Sequence, residues 1–369
     1  MADRKIRVAV IGTAGLPARY GGFETLTDYL TSRLGDKIEF SVFCPSTPDE
    51  EKLTSYNGAR LIYLPFKANG AASILYDIFA IVISVFAFDR LLILGSGGAV
   101  ILPLLFPFRQ KFVLNFGGFE WAREKWGWMG RTYLKLAESL GVRFSGTVIA
   151  DNQYFVDYIS SEYKTRCLLV EYGGDHCKAS DVISDDFAVQ YPFIHERYFL
   201  SVSRAQEDNN IHLLLHVFAR LPQQKIVIVS NWDVSEYGRT LKKKYAGRPN
   251  IVLLDAIYDL NTLNAIRTEC YVYIHSHSFC GTAPSLVEIM NLGKPVFSFL
   301  AQTNLETTER KASYFNTADE LEKLVASTSE TEVVELGKRM KEIALRRYTW
   351  YIIASKYFDA LNKGLQKSI

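Results

Sequence analysis

Short apolar runs alternate with helical patterns along nearly the whole chain, and this alternation is the feature that most constrains the fold. Strand, helix and strand repeated in this order predict a parallel sheet covered by helices on both faces. In the first half the predicted strands are 6–11, 38–43, 60–64, 91–94, 111–116, 147–150 and 167–170. The helical patterns between them are 24–34, 74–88, 131–140 and 154–162.

The alternation stops between residues 175 and 197, where the chain is polar and irregular, and then begins again. A length of 369 residues corresponds to two domains at roughly 100–200 residues each. We therefore predict an α/β fold of two doubly wound, Rossmann-like domains facing a cleft, 1–190 and 191–349. A last helical pattern, 350–369, can pack on either domain. The second domain's predicted strands are 198–202, 225–230, 251–254, 271–275 and 295–298, and its helices are 211–221, 235–245, 261–269 and 284–292.

Charge and cysteine content exclude several classes of protein. Lys and Arg number 42 against 40 Asp and Glu, so the net charge is only +2, whereas a nucleic-acid-binding surface needs a dense cationic stripe. The 5 cysteines are scattered and match neither a disulfide framework nor a paired zinc spacing. No apolar signal-peptide core follows the charged residues 1–7. We expect a cytoplasmic protein with no nucleic-acid partner.

One segment, 74–108, is unusually apolar. A spanning helix needs about 20 continuous apolar residues, and Asp77, Asp89 and Arg90 interrupt this run. Two interpretations stay open: a buried helix followed by a core strand, or a peripheral face that rests on the inner surface of the plasma membrane.

Ligands of open parallel sheets bind beyond the carboxyl ends of the strands, so residues that follow strands are the candidates for chemistry. After the first strand, Gly21 and Gly22 open the next helix, and a helix N-terminus with glycine backbone suits an anion. An ordinary strand-to-helix turn would also explain these glycines. Gly12 and Gly15 do not form the G-x-G-x-x-G turn of a dinucleotide-binding protein, which disfavours a dehydrogenase.

In the second half, Arg204 follows the strand 198–202 and could grip a diphosphate with two hydrogen bonds. Residues 281–288 (GTAPSLVE) follow another strand, and Pro284 suits the first turn of a helix. Glu288 then lies about one turn inside that helix, where a carboxylate can accept the two hydroxyls of a ribose. The alternatives are a surface arginine at 204 and a local cap or ion pair at 288.

The histidines do not predict a metal site. His275 and His277 share one face of a strand, and Cys280 is the only further ligand with suitable spacing. His212 and His216 lack the glutamate that a metallohydrolase helix carries between its two histidines. We therefore expect no metal and no cofactor.

These features together resemble a known family. Arg204, with Gly281 and Glu288 before Lys294-Pro295-Val296, looks like the two-domain GT-B glycosyltransferases of the retaining group 1 family. Residues 12–25 (GTAGLPARYGGFET), the pairs 120–121 (EW) and 125–126 (KW), and residues 281–286 resemble the branch that contains rhamnosyltransferases of bacterial capsule and cell-wall polysaccharides.

The resemblance implies transfer of a sugar with retention, rhamnose from dTDP-rhamnose, to a glycan or polyprenyl-linked glycan. Arg204 would stabilise the departing diphosphate, and Glu120 would orient or deprotonate the acceptor hydroxyl. The chain departs from the family at three positions: Asn209 and Cys280 replace a lysine and a glutamate, and Gly117 stands where the branch has an acid. The donor-binding residues that the resemblance implies are Gly21, Gly22, Arg204, Asn209, His277, Gly281, Thr282, Ser285 and Glu288.

Two other functions remain open at this point. The three departures also fit a non-catalytic protein that only binds a nucleotide sugar. An epimerase on the same two-domain scaffold would release a free sugar, whereas a transferase would produce a glycoside.

Overall fold

The computed structural model describes residues 4–18, 21–46, 52–66, 70, 72–123, 126–180 and 183–363. The chain divides into two compact units. Unit 1 comprises Met1–Glu171 and Tyr351–Ile369, and unit 2 comprises Tyr172–Trp350. Each unit contains one largely or wholly parallel sheet with helices, which confirms the predicted class of two parallel-sheet α/β domains.

Unit 1 contains an eight-stranded sheet in the order β3-β4-β2-β1-β5-β6-β7-β8. All neighbours are parallel except the short strand β3, which is antiparallel to β4 and was not predicted. The strands are β1 (Ile6–Ile11), β2 (Ile38–Pro45), β3 (Ser55–Tyr56), β4 (Ala59–Leu64), β5 (Arg90–Leu94), β6 (Phe112–Asn115), β7 (Thr147–Ala150) and β8 (Cys167–Leu169). The helices are α1 (Gly22–Leu34), α2 (Ala72–Ser84), α3 (Trp128–Phe144) and α4 (Gln153–Tyr163).

Unit 2 contains a six-stranded sheet in the order β11-β10-β9-β12-β13-β14, parallel throughout. Its strands are β9 (Tyr198–Val202), β10 (Lys225–Val229), β11 (Ile251–Leu254), β12 (Val272–His275), β13 (Val296–Phe299) and β14 (Ser313–Phe315). Its helices are α5 (Asp185–Gln190), α6 (Ile211–Arg220), α7 (Glu236–Tyr245), α8 (Leu260–Glu269), α9 (Pro284–Asn291), α10 (Gln302–Thr307), α11 (Ala318–Ser327) and α12 (Glu330–Arg347).

The last helix, α13 (Trp350–Asn362), belongs to unit 1 from Tyr351 onward. Two side chains of the unit 1 sheet hold it. Asn115 Nδ2 donates to the Tyr357 hydroxyl at 2.6 Å, and the buried Arg90 side chain donates to the carbonyl of Leu361 at 2.8 Å. Arg90 thus satisfies one of the carbonyls that the end of a helix leaves without an intrahelical partner. Residues 364–369 of the predicted tail lie outside the described part of the chain.

The boundary between the units differs from the sequence-based one at 190/191 and falls between Glu171 and Tyr172. Residues just after β8 already contact unit 2, because Gly174 N donates to the Tyr348 carbonyl at 2.8 Å and Asp175 accepts from Trp350 N at 2.7 Å. Residues 175–197, predicted to be irregular, include helix α5, whose first turn is capped by the Ser184 hydroxyl.

The apolar segment 74–108 forms α2, the core strand β5 and part of a 3-10 stretch, Ala99–Lys111. Among the described residues, no helix is both long enough and apolar enough to cross a membrane. Helix α2 buries Tyr76, Ala80 and Ile81 against the core. Its opposite side is exposed and apolar. We call this region the α2 surface: Leu75, Phe79, Val82, Ile83, Phe86, Leu104 and Phe106.

Candidate functional sites

The first candidate site lies at the carboxyl edge of the unit 2 sheet, where β9 and β12 are parallel neighbours. Their following loops, 203–210 and 276–283, therefore emerge side by side. Four hydrogen bonds join the two loops. The Ser276 hydroxyl donates to the Asn209 carbonyl at 2.5 Å, Asn210 Nδ2 donates to the Ser276 carbonyl at 3.0 Å, and Ser278 donates through its amide (2.9 Å) and hydroxyl (2.8 Å) to the Asp208 carbonyl.

Arg204 is exposed at this edge. Within the described ranges, no hydrogen bond or ion pair engages its guanidinium. Its backbone is held, because the buried Asn209 donates from Nδ2 to the Arg204 carbonyl at 2.8 Å. The predicted donor residue Asn209 thus positions the loop that carries Arg204, and five N–H donors of the guanidinium are available to a ligand.

The amino end of α9 lies in the same loop region. Pro284 occupies the first turn, and Ala283 at the N-cap offers no side-chain acceptor to the helix amides. Thr282 is buried, Gly281 is partly exposed, and Ser285 lies near the hydroxyl of Tyr273 in β12. The helix start, with its partial positive charge, is thus on the same sheet edge as Arg204.

Glu288 lies one turn further into α9 and is 9% exposed. Both carboxylate oxygens have a partner: the Arg267 guanidinium of α8 contacts Oε2, and His176 Nε2 lies 3.1 Å from Oε1. His176 Nδ1 accepts from Trp350 Nε1 at 3.0 Å, so in the neutral ring Nε2 carries the proton and donates to Glu288. Although burial alone would raise it, Arg267 and His176 lower the pKa of Glu288 to about 2.

Three potential metal ligands gather at the end of β12. One ligand atom each from His275, His277 and Cys280 lies within 4.8 Å of the others, and His275 Nε2 is 4.0 Å from Cys280 Sγ. His275 is buried, and burial together with nearby His277 holds its pKa well below the ordinary value, so its ring is neutral. Asn304 also binds this loop, donating to the His277 carbonyl at 2.9 Å. The expectation of a metal-free site stays a prediction.

The second candidate site is a cavity of about 610 Å³ in unit 1. It lies beyond the carboxyl ends of three neighbouring strands, β1, β5 and β6, and is closed at the sides by α1 and α2. Three carboxyl groups line it: Glu24, Asp77 and Glu120. The apolar and aromatic lining comprises Ala14, Phe23, Ile74, Tyr76, Leu94, Phe116, Trp126 and Leu134.

Two glycines shape this cavity. Gly12 has a φ of +93°, and a Cβ there would lie 2.1 Å from the Leu94 carbonyl oxygen, so no other residue fits. Gly117 has a φ of +70°, and a Cβ would approach the Phe23 ring at 3.0 Å. Position 117, at which the resemblance implied an acid, therefore favours glycine in this chain.

The motif of residues 12–25 covers the connection between β1 and α1 and the first turn of α1. Gly21 is the N-cap of α1 and Gly22 its first residue, while Glu24 turns back to accept from Ala14 N at 2.7 Å and the Thr13 hydroxyl at 3.1 Å. Neither Gly21 nor Gly22 is among the described residues that line the cavity. Arg19 and Tyr20 of this turn, and Lys125 of the 125–126 pair, lie outside the described residues.

Two family models match the chain. Residues 185–347, most of unit 2, match the family described as glycosyl transferases group 1. Residues 5–175, most of unit 1, match a domain of unknown function, DUF1972. The comparison with curated proteins gives no match. Unit 2 therefore contains a glycosyltransferase group 1 domain.

The solved structures that resemble the chain share its fold over nearly the whole length. Sucrose-phosphate synthase from Thermosynechococcus elongatus has a TM-score of 0.81 at 15% identity and covers 99% of this chain and 100% of its own. HepE from Anabaena, in complex with UDP and glucose, has a TM-score of 0.76 at 16% identity over 97% and 99%. WaaG, a glycosyltransferase involved in lipopolysaccharide biosynthesis, has a TM-score of 0.71 at 14% identity over 97% and 100%. The fold is that of GT-B glycosyltransferases.

Sequence reasoning did not identify three of the residues described here as parts of a site. Asp77 was noted only as an interruption of an apolar run, although an acid inside a buried helix pattern is itself a signal. Arg267 and His176 lie 21 and 112 positions from Glu288, so nothing in the local sequence pattern pointed to them.

Proposed function

We propose that the chain is a glycosyltransferase whose unit 2 binds the diphosphate of a nucleotide-sugar donor through Arg204. The observation that carries this proposal is the exposed guanidinium of Arg204 at the carboxyl edge of β9, beside the amino end of α9, inside the segment that matches the group 1 family. A diphosphate needs donors and positive charge, and both are provided there.

The proposed chemistry follows from the charge that develops on the leaving group. When the bond between the sugar and the diphosphate breaks, negative charge accumulates on the diphosphate oxygens, and Arg204 together with the amides near Gly281 and Thr282 stabilises it. A hydrogen bond to a charged group contributes about 1.5–3 kcal/mol, and each 1.4 kcal/mol is tenfold in rate. Arg204→Ala should therefore lower turnover by about tenfold to several hundredfold.

The remaining donor residues have roles that fit their surroundings. Glu288, held ionised by Arg267, would accept hydrogen bonds from the ribose hydroxyls. Asn209 would act through the backbone of Arg204, and His277 and Ser285 would border the sugar and phosphate. Gly21 and Gly22, at the start of α1, would contact the donor through their backbone amides. We propose dTDP-rhamnose as the donor, retention of configuration, and a mechanism without a metal.

We propose a polysaccharide or polyprenyl-linked glycan as the acceptor, with the α2 surface resting on the inner face of the plasma membrane. Phe86, two residues after α2, is 71% exposed, and Leu104 is 79% exposed. The ring centroids of Phe86 and Phe108 lie 5.2 Å apart, which joins the end of α2 to the following 3-10 stretch. Lys111 stands beside these rings, with Nζ 5.8 Å from the Phe108 centroid. An apolar face flanked by cations suits anionic lipid.

The experiment is a product assay with dTDP-rhamnose, UDP-glucose and GDP-mannose, each with and without a panel of octyl glycosides. A transferase releases nucleoside diphosphate and forms a heavier glycoside, and Arg204→Ala slows both. Binding without release would identify a non-catalytic binding protein, whereas a free or altered sugar without glycoside would identify an epimerase.

A further inference from the structure

The cavity in unit 1 contains a carboxyl group that no other part of the described chain engages. Asp77 lies on α2 and lines the cavity, and among the described residues no hydrogen bond or ion pair reaches its carboxyl oxygens. Helix α2 packs directly on the loop after β5, because a Cβ built on Gly97 would lie 3.6 Å from Asp77 Oδ2 and one on Gly98 only 2.5 Å from Asp77 Cβ. This packing holds the carboxyl at the cavity wall.

The other two carboxylates of the cavity are already engaged. Glu24 accepts from Ala14 N and the Thr13 hydroxyl. Glu120 forms an ion pair with Arg123 Nε at 2.8 Å and accepts from Trp126 Nε1 at 3.2 Å. Among the described residues, both oxygens of Glu120 thus have a partner, whereas the carboxyl oxygens of Asp77 have none. Asp77 is therefore better suited than Glu120 to accept a proton.

The described residues around Asp77 include no compensating cation. No lysine or arginine is among the described residues that line the cavity. The titratable groups near Asp77 are Tyr76 on its own helix and Tyr133 of α3, whose hydroxyl donates to the Gly97 carbonyl at 2.9 Å, with Glu24 and Glu120 across the cavity. Burial raises the pKa of Asp77 to about 7, which is the range in which a general base is most effective at neutral pH.

We propose that Asp77 is a catalytic residue of the transfer reaction and that the unit 1 cavity binds a neutral sugar whose hydroxyl it deprotonates. The proposal rests on the proposed function. A neutral sugar fits because the cavity offers carboxylates and aromatic rings, namely Phe23, Phe116 and Trp126, and because its described lining includes no cation that would favour a phosphate.

In the proposed transfer step, one bond forms and one breaks at the anomeric carbon, and one proton moves to Asp77. The acceptor oxygen forms a bond to the anomeric carbon on the same face from which the diphosphate departs, as the proposed retention requires, and its proton passes to the Asp77 carboxylate. The bond between the anomeric carbon and the diphosphate oxygen breaks, and the nucleoside diphosphate leaves with the electron pair. The carboxylic acid formed at Asp77 returns its proton to solvent before the next turnover.

The test compares Asp77→Asn, Glu120→Gln and the matched control Asp36→Asn, which removes an exposed carboxylate outside the cavity. Turnover is followed as nucleoside diphosphate release from dTDP-rhamnose, UDP-glucose and GDP-mannose, with octyl glycosides or with water alone as the acceptor. We expect Asp77→Asn to lower turnover at least 100-fold with the donor Kd unchanged within twofold, and Glu120→Gln to lower it less than tenfold. The wild-type rate should fall as pH decreases through about 7, and this dependence should be lost in Asp77→Asn.

Turnover of Asp77→Asn within threefold of wild type, or a larger loss in Glu120→Gln, would overturn the inference. If the wild-type protein binds no nucleotide sugar, the proposed function fails, and Asp77 is then tested on its own by NMR. The carboxyl carbon signal of [4-¹³C]aspartate-labelled protein, assigned by its absence in Asp77→Asn, should titrate near pH 7. Titration near pH 4 contradicts the inference whatever the activity.

Discussion

The Arg267 guanidinium lies against the Glu288 carboxylate, and both side chains are buried inside unit 2. Arg267 reaches from α8 and Glu288 from α9, so the pair joins two helices as well as two charges. Both residues lie in the segment that matches the group 1 family. In our proposal Glu288 binds the ribose and Arg267 does not contact the nucleotide, yet the charge state of Glu288 depends on Arg267.

Removal of one partner of this pair should destabilise unit 2. Arg267→Met leaves a buried carboxylate without its cation, which costs about 3–5 kcal/mol, or a decrease in Tm of at least about 6 °C for a unit of this size. The control Arg339→Met removes an exposed partner of Glu335 and should cost less than about 1 kcal/mol. Differential scanning calorimetry measures both, and equal Tm values for the two variants would show that the pair is not buried as described.

The same pair gives unit 2 an acid-sensitive stability. The pKa of Glu288 is about 2 in the folded chain, below its ordinary value of 4.5, so its ionised form stabilises the fold. That contribution is complete above about pH 4.5 and is lost as pH falls through about 2. Urea unfolding between pH 2 and 6 should show a smaller acid loss of stability in Glu288→Gln than in the wild-type protein, and parallel curves would contradict the assignment.

Asp77 should affect stability with the opposite pH dependence. Its pKa is raised from 3.8 to about 7, so its protonated form favours the fold below about pH 4, and this contribution is lost as pH rises through about 7. Asp77→Asn should therefore be more stable than wild type above pH 7 and show little difference at pH 4. A pKa difference of about three between the folded and unfolded chain corresponds to at most about 4 kcal/mol in the free energy of unfolding. The difference in unfolding free energy should be smaller than this because the carboxyl faces an open cavity. Urea unfolding at pH 4 and 8 measures the difference, and a gain at pH 4 alone would contradict the raised pKa.

The α2 surface should bind anionic lipid vesicles. Phe79→Glu combined with Phe86→Glu places two negative charges on this surface and should reduce cosedimentation with phosphatidylglycerol vesicles at least fivefold, since each charge opposes the lipid charge and both apolar contacts are lost. Val234→Glu, at an exposed apolar position of unit 2, is the control. Equal sedimentation of the wild-type protein with and without vesicles would show that this surface does not bind membrane.

Most of the fold could be predicted from the sequence because parallel strands buried on both faces are nearly continuous apolar runs. Strand β1 matches the predicted segment 6–11, and β5 differs from the predicted 91–94 only by the addition of Arg90. Arg90 was not predicted to be in the strand because the sequence around it does not show what would pair with a buried arginine. Its partners are carbonyls at the end of α13, about 270 positions away in the chain. The short strand β3 and the helices α5, α10 and α11 carry too few apolar positions to form a recognisable period.

The candidate site at the carboxyl edge of the unit 2 sheet could be located from the sequence, whereas the unit 1 cavity and the pairing of its carboxylates could not. Arg204 and the loop 276–283 were placed correctly at the ends of strands, since strand ends are readable from the sequence, and β9 and β12 are neighbours. Which carboxylates are free and which are paired depends on side chains from other elements. Arg123 beside Glu120 and Arg267 beside Glu288 therefore became evident only in three dimensions.

The central claim is that Arg204 of unit 2 binds the diphosphate of a nucleotide sugar. The most direct measurement is the thermal shift of the wild-type protein, Arg204→Ala and the charge-matched control Lys243→Ala with UDP, dTDP and GDP. A nucleotide at 100 times its Kd stabilises by about 2.7 kcal/mol. We predict that at least one nucleotide raises the Tm of the wild-type and Lys243→Ala proteins and that Arg204→Ala loses most of this shift. A shift of the same size in Arg204→Ala, or no shift with any of the three nucleotides, would contradict the account.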